Sequence, residues 1–102
     1  MTEFKAVVCI LNEGYADEAF QEALRVGAKG GTIIKARGTA PKQAESIYNI
    51  VIQPEKEIIL MVVPDNIVDN LLNALYEKVG TETAAKGIAF VMPVDNEVGI
   101  IK

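Results

Sequence analysis

Apolar and polar positions along the chain fall into two matching blocks. Phe4 to Leu11 is apolar at nearly every position, with Phe4, Ala6, Val8 and Ile10 on one face and Val7, Cys9 and Leu11 on the other. This pattern predicts a strand that needs cover on both sides. Asn12-Glu13-Gly14 reads as a turn. Ala16 to Val26 then places Ala16, Ala19, Phe20, Ala23 and Leu24 at helical spacing, with Asp17, Glu18 and Glu22 early, where the helix dipole favours acids. Gly27 ends that helix, Gly30-Gly31 turns, and Thr32 to Ala36 is a second strand. Gly38 to Ser46 is polar and aperiodic, an exposed loop. Ile47 to Gln53 alternates weakly and Pro54 to Glu57 interrupts it. The second block opens with Ile58 to Val63, apolar on both faces. Pro64 stops this strand and Asp65 is the expected helix cap. Ile67, Val68, Leu71, Leu72, Leu75 and Val79 make a continuous helical stripe. Gly80 ends the helix, Thr81 to Lys86 is a polar loop, Gly87 to Val94 is a long strand, and Val98 to Ile101 is a short terminal one.

The order is β-α-β, loop, β-α-β. It predicts an α+β, ferredoxin-like βαββαβ sandwich: a four-stranded antiparallel sheet with two helices on one face, plus the short C-terminal strand. The helices cover one sheet face only. Since three strands are apolar on both sides, the other face predicts self-association, with sheets packed face to face.

A chain of 102 residues, half of them hydrophobic, suits one domain over residues 1–102. A net charge of −4 argues against nucleic-acid binding, which needs a basic face. The charge is uneven, however. Lys29, Lys35, Arg37 and Lys42 lie between Val26 and Ala44 with no acid among them, a local cationic patch suited to a small anion. There is no histidine, which removes the commonest general base and zinc ligand. The single cysteine, Cys9, sits in an apolar strand, where packing is its expected role. No serine sits in a nucleophile elbow, and no P-loop or Rossmann spacing is present. A binding protein is expected rather than an enzyme, with no metal site and no obligatory cofactor. The absence of a signal-like start or a membrane-length apolar run points to a cytoplasmic protein without membrane insertion.

Three stretches carry a family resemblance: Val62-Val63-Pro64-Asp65-Asn66-Ile67-Val68-Asp69, Gly27-x-x-Gly30-x-Thr32 with Gly38 beyond, and Gly87-x-x-Phe90-Val91. In that order they resemble the PII signalling proteins, the nitrogen regulatory protein P-II family. The resemblance implies a homotrimer whose sheets line a central core. It also implies an adenine nucleotide (AMP, ADP, ATP or a cyclic nucleotide) in the clefts between subunits, and a protruding loop that docks on a membrane transporter or metabolic enzyme. Carried over by position, the nucleotide site would use Gly30, Gly31, Thr32, Arg37, Gly38, Val63, Pro64, Thr81, Lys86 and Gly87. The partner-binding loop, about 38–53, would present Thr39, Lys42, Gln43 and Tyr48.

The departures are informative. The family's second phosphate loop, roughly Thr-Gly-x-x-Gly-Asp-Gly-Lys, here reads Thr81-Glu82-Thr83-Ala84-Ala85-Lys86-Gly87-Ile88. Glu82 adds a repelling charge, which disfavours a triphosphate. The family lysine that pairs with 2-oxoglutarate falls near Glu55, which would repel that dianion, with Lys56 expected to point to the other side. Tyr48, near a tyrosine that some members have modified, reads as a strand aromatic. The protein is identified as a divergent PII-like regulator. Two alternatives remain: a trimer of the CutA type acting in metal handling, and a structural trimer that binds no nucleotide.

Overall fold

A computed structural model describes residues 3–39 and 54–95. Phe4–Asn12 forms β1, Ala16–Arg25 α1, Thr32–Arg37 β2 and Glu55–Pro64 β3. A single 3-10 turn, Asp65–Ile67, leads into α2, Val68–Val79, and Ile88–Pro93 is β4. The strands form one antiparallel sheet in the order β2-β3-β1-β4, the ferredoxin-like arrangement expected. The short strand expected at Val98–Ile101 and the segment Ile47–Gln53 lie outside the described residues.

The helices cover one face. Val7, Cys9 and Leu11 of β1 and Ile59, Met61 and Val63 of β3 are buried there against Ala16, Ala19 and Ala23 of α1 and Val68, Leu71, Leu75 and Val79 of α2. The alanine stripe of α1 lets that helix lie close to the sheet. Its end is a Schellman motif: Ala28 N–H donates to the Ala23 carbonyl at 3.0 Å and Gly27 N–H to that of Leu24 at 3.1 Å. The reversal requires φ +117° at position 27, which glycine adopts without a Cβ penalty.

Three boundaries differ from the sequence reading. Asn12 belongs to β1 rather than to a turn, because Lys56 stands opposite it on β3. Glu55 to Glu57 are strand residues rather than an interruption, since β2 places Arg37 opposite Glu55 and Lys35 opposite Glu57. Pairing with β2 on one side and with Leu11 and Asn12 of β1 on the other makes this segment a strand, which the local sequence does not reveal. Asp65 makes no side-chain cap; it opens the 3-10 turn, and its N–H donates to the Glu3 carbonyl at 2.9 Å.

Among the described residues, no helix or loop covers the second sheet face. Its rungs run Thr32-Leu60-Val8-Phe90 and Ile34-Ile58-Ile10-Ile88, with Val62-Ala6-Met92 beyond. Ile34, Leu60, Val62, Ile88, Phe90 and Met92 are between 38% and 53% exposed, a contiguous apolar surface of the kind that marks an interface.

Candidate functional site

The residues expected at a nucleotide site separate into three groups on one chain. Gly30, Gly31 and Thr32 precede and begin β2. Val63 and Pro64 end β3, at the same end of the sheet. Because β2 first pairs at Thr32 with Leu60, the β3 edge from Met61 to Pro64 runs beside Gly30 and Gly31 rather than beside a strand. Gly31 packs closely there: an added Cβ would lie 3.0 Å from Met61 Cγ and 3.1 Å from Phe20 Cε1. Val63 is fully buried among the helices, so only its backbone is available to a ligand.

Arg37 and Gly38 lie at the opposite end of β2, about 17 Å along the strand from Thr32. Arg37 is exposed and faces Glu55 across the strand pair. Gly38 N–H donates to the Pro54 carbonyl at 2.6 Å, a closed neck between the end of β2 and the start of β3. Thr39 lies exposed just beyond this neck. Lys42, Gln43 and Tyr48 lie outside the described residues.

Thr81, Lys86 and Gly87 form the third group, in the loop between α2 and β4 at the same end as Arg37. Two strands, β3 and β1, separate them from β2, a distance of about 14 Å across the sheet. A cavity of about 310 Å³ gathers Thr81 and Gly87 beside Leu72, Leu75, Tyr76 and Cys9. It is chiefly apolar. Burial pushes the Cys9 thiol at its floor up to about 11, holding it protonated and unreactive.

The loop itself is closed by internal hydrogen bonds. Thr83 Oγ1 donates to the Gly80 carbonyl at 2.7 Å and accepts from Ala85 N–H at 3.2 Å. The N–H groups of Thr83, Lys86 and Gly87 donate to the carbonyls of Gly80, Thr83 and Val79. Four amides are thus engaged within the loop instead of aimed outward as an anion cradle. Lys86 Nζ lies 3.3 Å from the Thr81 carbonyl, folded back over the loop. Two residues outside the expected site, Asn12, read from the sequence as part of a turn, and Lys56, also hold the loop and the strand ends. Asn12, buried, donates from Nδ2 to the Ala84 carbonyl at 3.0 Å, and Lys56 donates to Asn12 Oδ1 at 2.6 Å. The position of Asn12 directly after the apolar run Phe4 to Leu11 is the one local hint; its burial comes from partners distant in sequence. Among the described residues no group of three or more His, Cys, Asp or Glu side chains is placed to hold a metal, and no helix is long and apolar enough to cross a membrane.

A match to the nitrogen regulatory protein P-II family spans residues 4–101. The chain belongs to this family. Solved PII structures share its fold. A nitrogen regulatory PII-like protein from Thiomonas intermedia K12, bound to ADP, AMP and bicarbonate, superposes with a TM-score of 0.70 at 22% identity, over 95% of this chain and 96% of that one. Arabidopsis thaliana PII bound to citrate gives 0.68 at 24% identity, over 91% and 78%. A search of curated proteins returned no match. PII-family membership places the chain among regulatory proteins, in agreement with the expectation from Val62–Asp69 and the glycine-bearing turns.

Proposed function

We propose that this PII-family chain is a non-enzymatic regulatory subunit. In this reading three copies close their apolar sheet faces together, an adenine nucleotide binds in the clefts between them, and residues 38–53 carry the signal to a membrane transporter or metabolic enzyme. The observation that carries it is the separation of the candidate residues onto opposite sheet edges around an uncovered apolar face. Arg37 and Thr81 are too far apart across one sheet to grip one small ligand together with Thr32, whereas adjoining copies bring different edges into one cleft.

Charge sets the preferred ligand. The loop from Gly80 to Gly87 offers one cation, Lys86, beside Glu82, with four amides already engaged. AMP or ADP asks less of such a loop than ATP does, and the Thiomonas relative is itself bound to ADP and AMP.

A thermal-shift panel of AMP, ADP, ATP, cyclic AMP, cyclic di-AMP and S-adenosylmethionine on the purified oligomer tests this reading. A ligand at about 100 times its Kd stabilises the folded state by roughly 2.7 kcal/mol, a shift of several degrees. The expected order is AMP or ADP above ATP. A folded oligomer that responds to none of them would support the second reading, a structural assembly without nucleotide, which the self-closed loop favours.

A further inference from the structure

The uncovered sheet face ends in a polar rung. Ala36, Lys56 and Asn12 stand abreast on β2, β3 and β1, and the loop 80–87 takes the place that β4 would fill. Asn12 is only 7% exposed, and both ends of its amide are engaged, Oδ1 with Lys56 Nζ and Nδ2 with the Ala84 carbonyl. Its own N–H donates to the Ala85 carbonyl at 2.8 Å. On the other side, the stem of Lys56 packs on Gly38, where an added Cβ would lie 2.9 Å from Lys56 Cε. Gly38 is half of the neck it closes with Pro54. Contacts therefore run without a break from that neck, through Lys56 and Asn12, to the loop 80–87 at the far edge of the sheet.

We propose that Asn12 and Lys56 form a clasp that makes the neck at Gly38 and the loop 80–87 open and close together. A buried amide left without a partner is costly, so Asn12 cannot keep its place once Ala84 withdraws. When the amide turns, Lys56 loses its acceptor. The acids beside it, Glu55 and Glu57, alternate onto the opposite face of β3 and offer no substitute there. The released stem is then free to leave Gly38, and the neck loosens. In reverse, a pull on the neck withdraws Lys56, and Asn12 loses half of what holds it on Ala84. Asn12 is thus a positioning residue, linking two of the three groups of candidate site residues without itself touching a ligand. The clasp supplies a two-state element through which an event at either group biases the other.

Amide hydrogen exchange on the ligand-free oligomer, resolved residue by residue by NMR, tests this independently of nucleotide binding. Lys56→Met should speed exchange at Lys86 and Gly87 about tenfold, although those amides donate to Thr83 and Val79 and not to Lys56. Lys56→Arg, which keeps a donor, should restore the parent rates. Thr83→Val, at the loop end, should speed exchange at Gly38. In an Asn12→Ala background Lys56→Met should have no further effect on the loop; if that background does not fold, the comparison of Lys56→Met with Lys56→Arg decides. Parent rates at Lys86 and Gly87 in Lys56→Met would overturn the clasp, as would an equal acceleration at Ala23 in α1, which reports global destabilisation. A protein that binds no nucleotide yet shows the coupled exchange would sink the nucleotide reading and leave the clasp standing.

Discussion

The carboxylate of Glu57 accepts a hydrogen bond from the backbone N–H of Gly14 at 2.8 Å, so a residue of β3 caps the entry to α1. The same oxygen lies 3.3 Å from the N–H of Ala16, the first residue of the helix. Tyr15, at the cap position, makes no side-chain cap of its own. The negative charge also meets the positive end of the helix dipole. Glu57→Gln should therefore lower stability by about 0.5–1 kcal/mol and Glu57→Ala by about 1–2 kcal/mol, read from urea denaturation. An Ala variant as stable as the parent would mean that water caps α1 equally well.

Glu57 also shows where the sequence stops being legible. Both helices, the Gly27 stop and the four main strands follow from periods of 3.6 and 2 and from turn residues. Pro54-Glu55-Lys56-Glu57 reads locally as a charged break, and only the arrival of β2 on one side and of Leu11 and Asn12 of β1 on the other makes it a strand. Asn12 reads as a turn for the same reason: its chemistry is turn-like, and the partners that bury it lie 44 and 72 residues away. Tertiary pairing overrides local propensity at both places. For the site, the sequence identified the glycine-bearing segments, but not that the amides of Thr83, Ala85, Lys86 and Gly87 are engaged internally, nor that the buried side chain of Val63 leaves only its backbone to a ligand.

Gly87 is required by close approach. A Cβ there would collide with the carbonyl of Val79, the acceptor of the Gly87 N–H. That partner is backbone and cannot swing away. Gly87→Ala should cost about 2 kcal/mol or more and release the closing hydrogen bond of the loop, seen as a lower Tm and faster exchange at residue 87. Gly30→Ala makes the contrast: nothing lies within 4 Å of its added Cβ, so stability should change by less than about 1 kcal/mol, in the favourable direction through the unfolded chain.

Cys9 gives the stability a predictable alkaline limb. Its thiol is raised from the ordinary 9.0 to about 11 by desolvation. Between those values the unfolded chain releases the proton while the folded one keeps it, so the folded state binds more protons and stability falls as pH rises. The contribution is complete below pH 9 and is lost progressively toward pH 11; two units correspond to about 2.7 kcal/mol. Urea denaturation at intervals from pH 8 to 11 should show this fall in the parent and a flatter profile in Cys9→Ala, whose overall stability is lower because a buried atom is lost. Parallel profiles would place the titration elsewhere.

Leu60 and Phe90 flank Val8 on one rung of the uncovered face, and both are substantially exposed in the single chain. Full burial of such side chains contributes about 1.5–3 kcal/mol each, so covering this face would add several kcal/mol of stabilisation. Leu60→Glu puts a charge in the middle of that face while leaving the helix-side core, whose nearest members Ile59 and Met61 point the other way, intact. The charge would have to be desolvated in any face-to-face assembly, a cost of several kcal/mol per ion. Sedimentation equilibrium should accordingly find the parent as an oligomer and Leu60→Glu as a monomer with unchanged far-UV circular dichroism. If the cleft lies between copies, the monomer also loses any nucleotide-induced rise in Tm. An oligomer that survives Leu60→Glu unchanged would move the interface off this face and remove the reason for bringing Arg37 and Thr81 of different copies together.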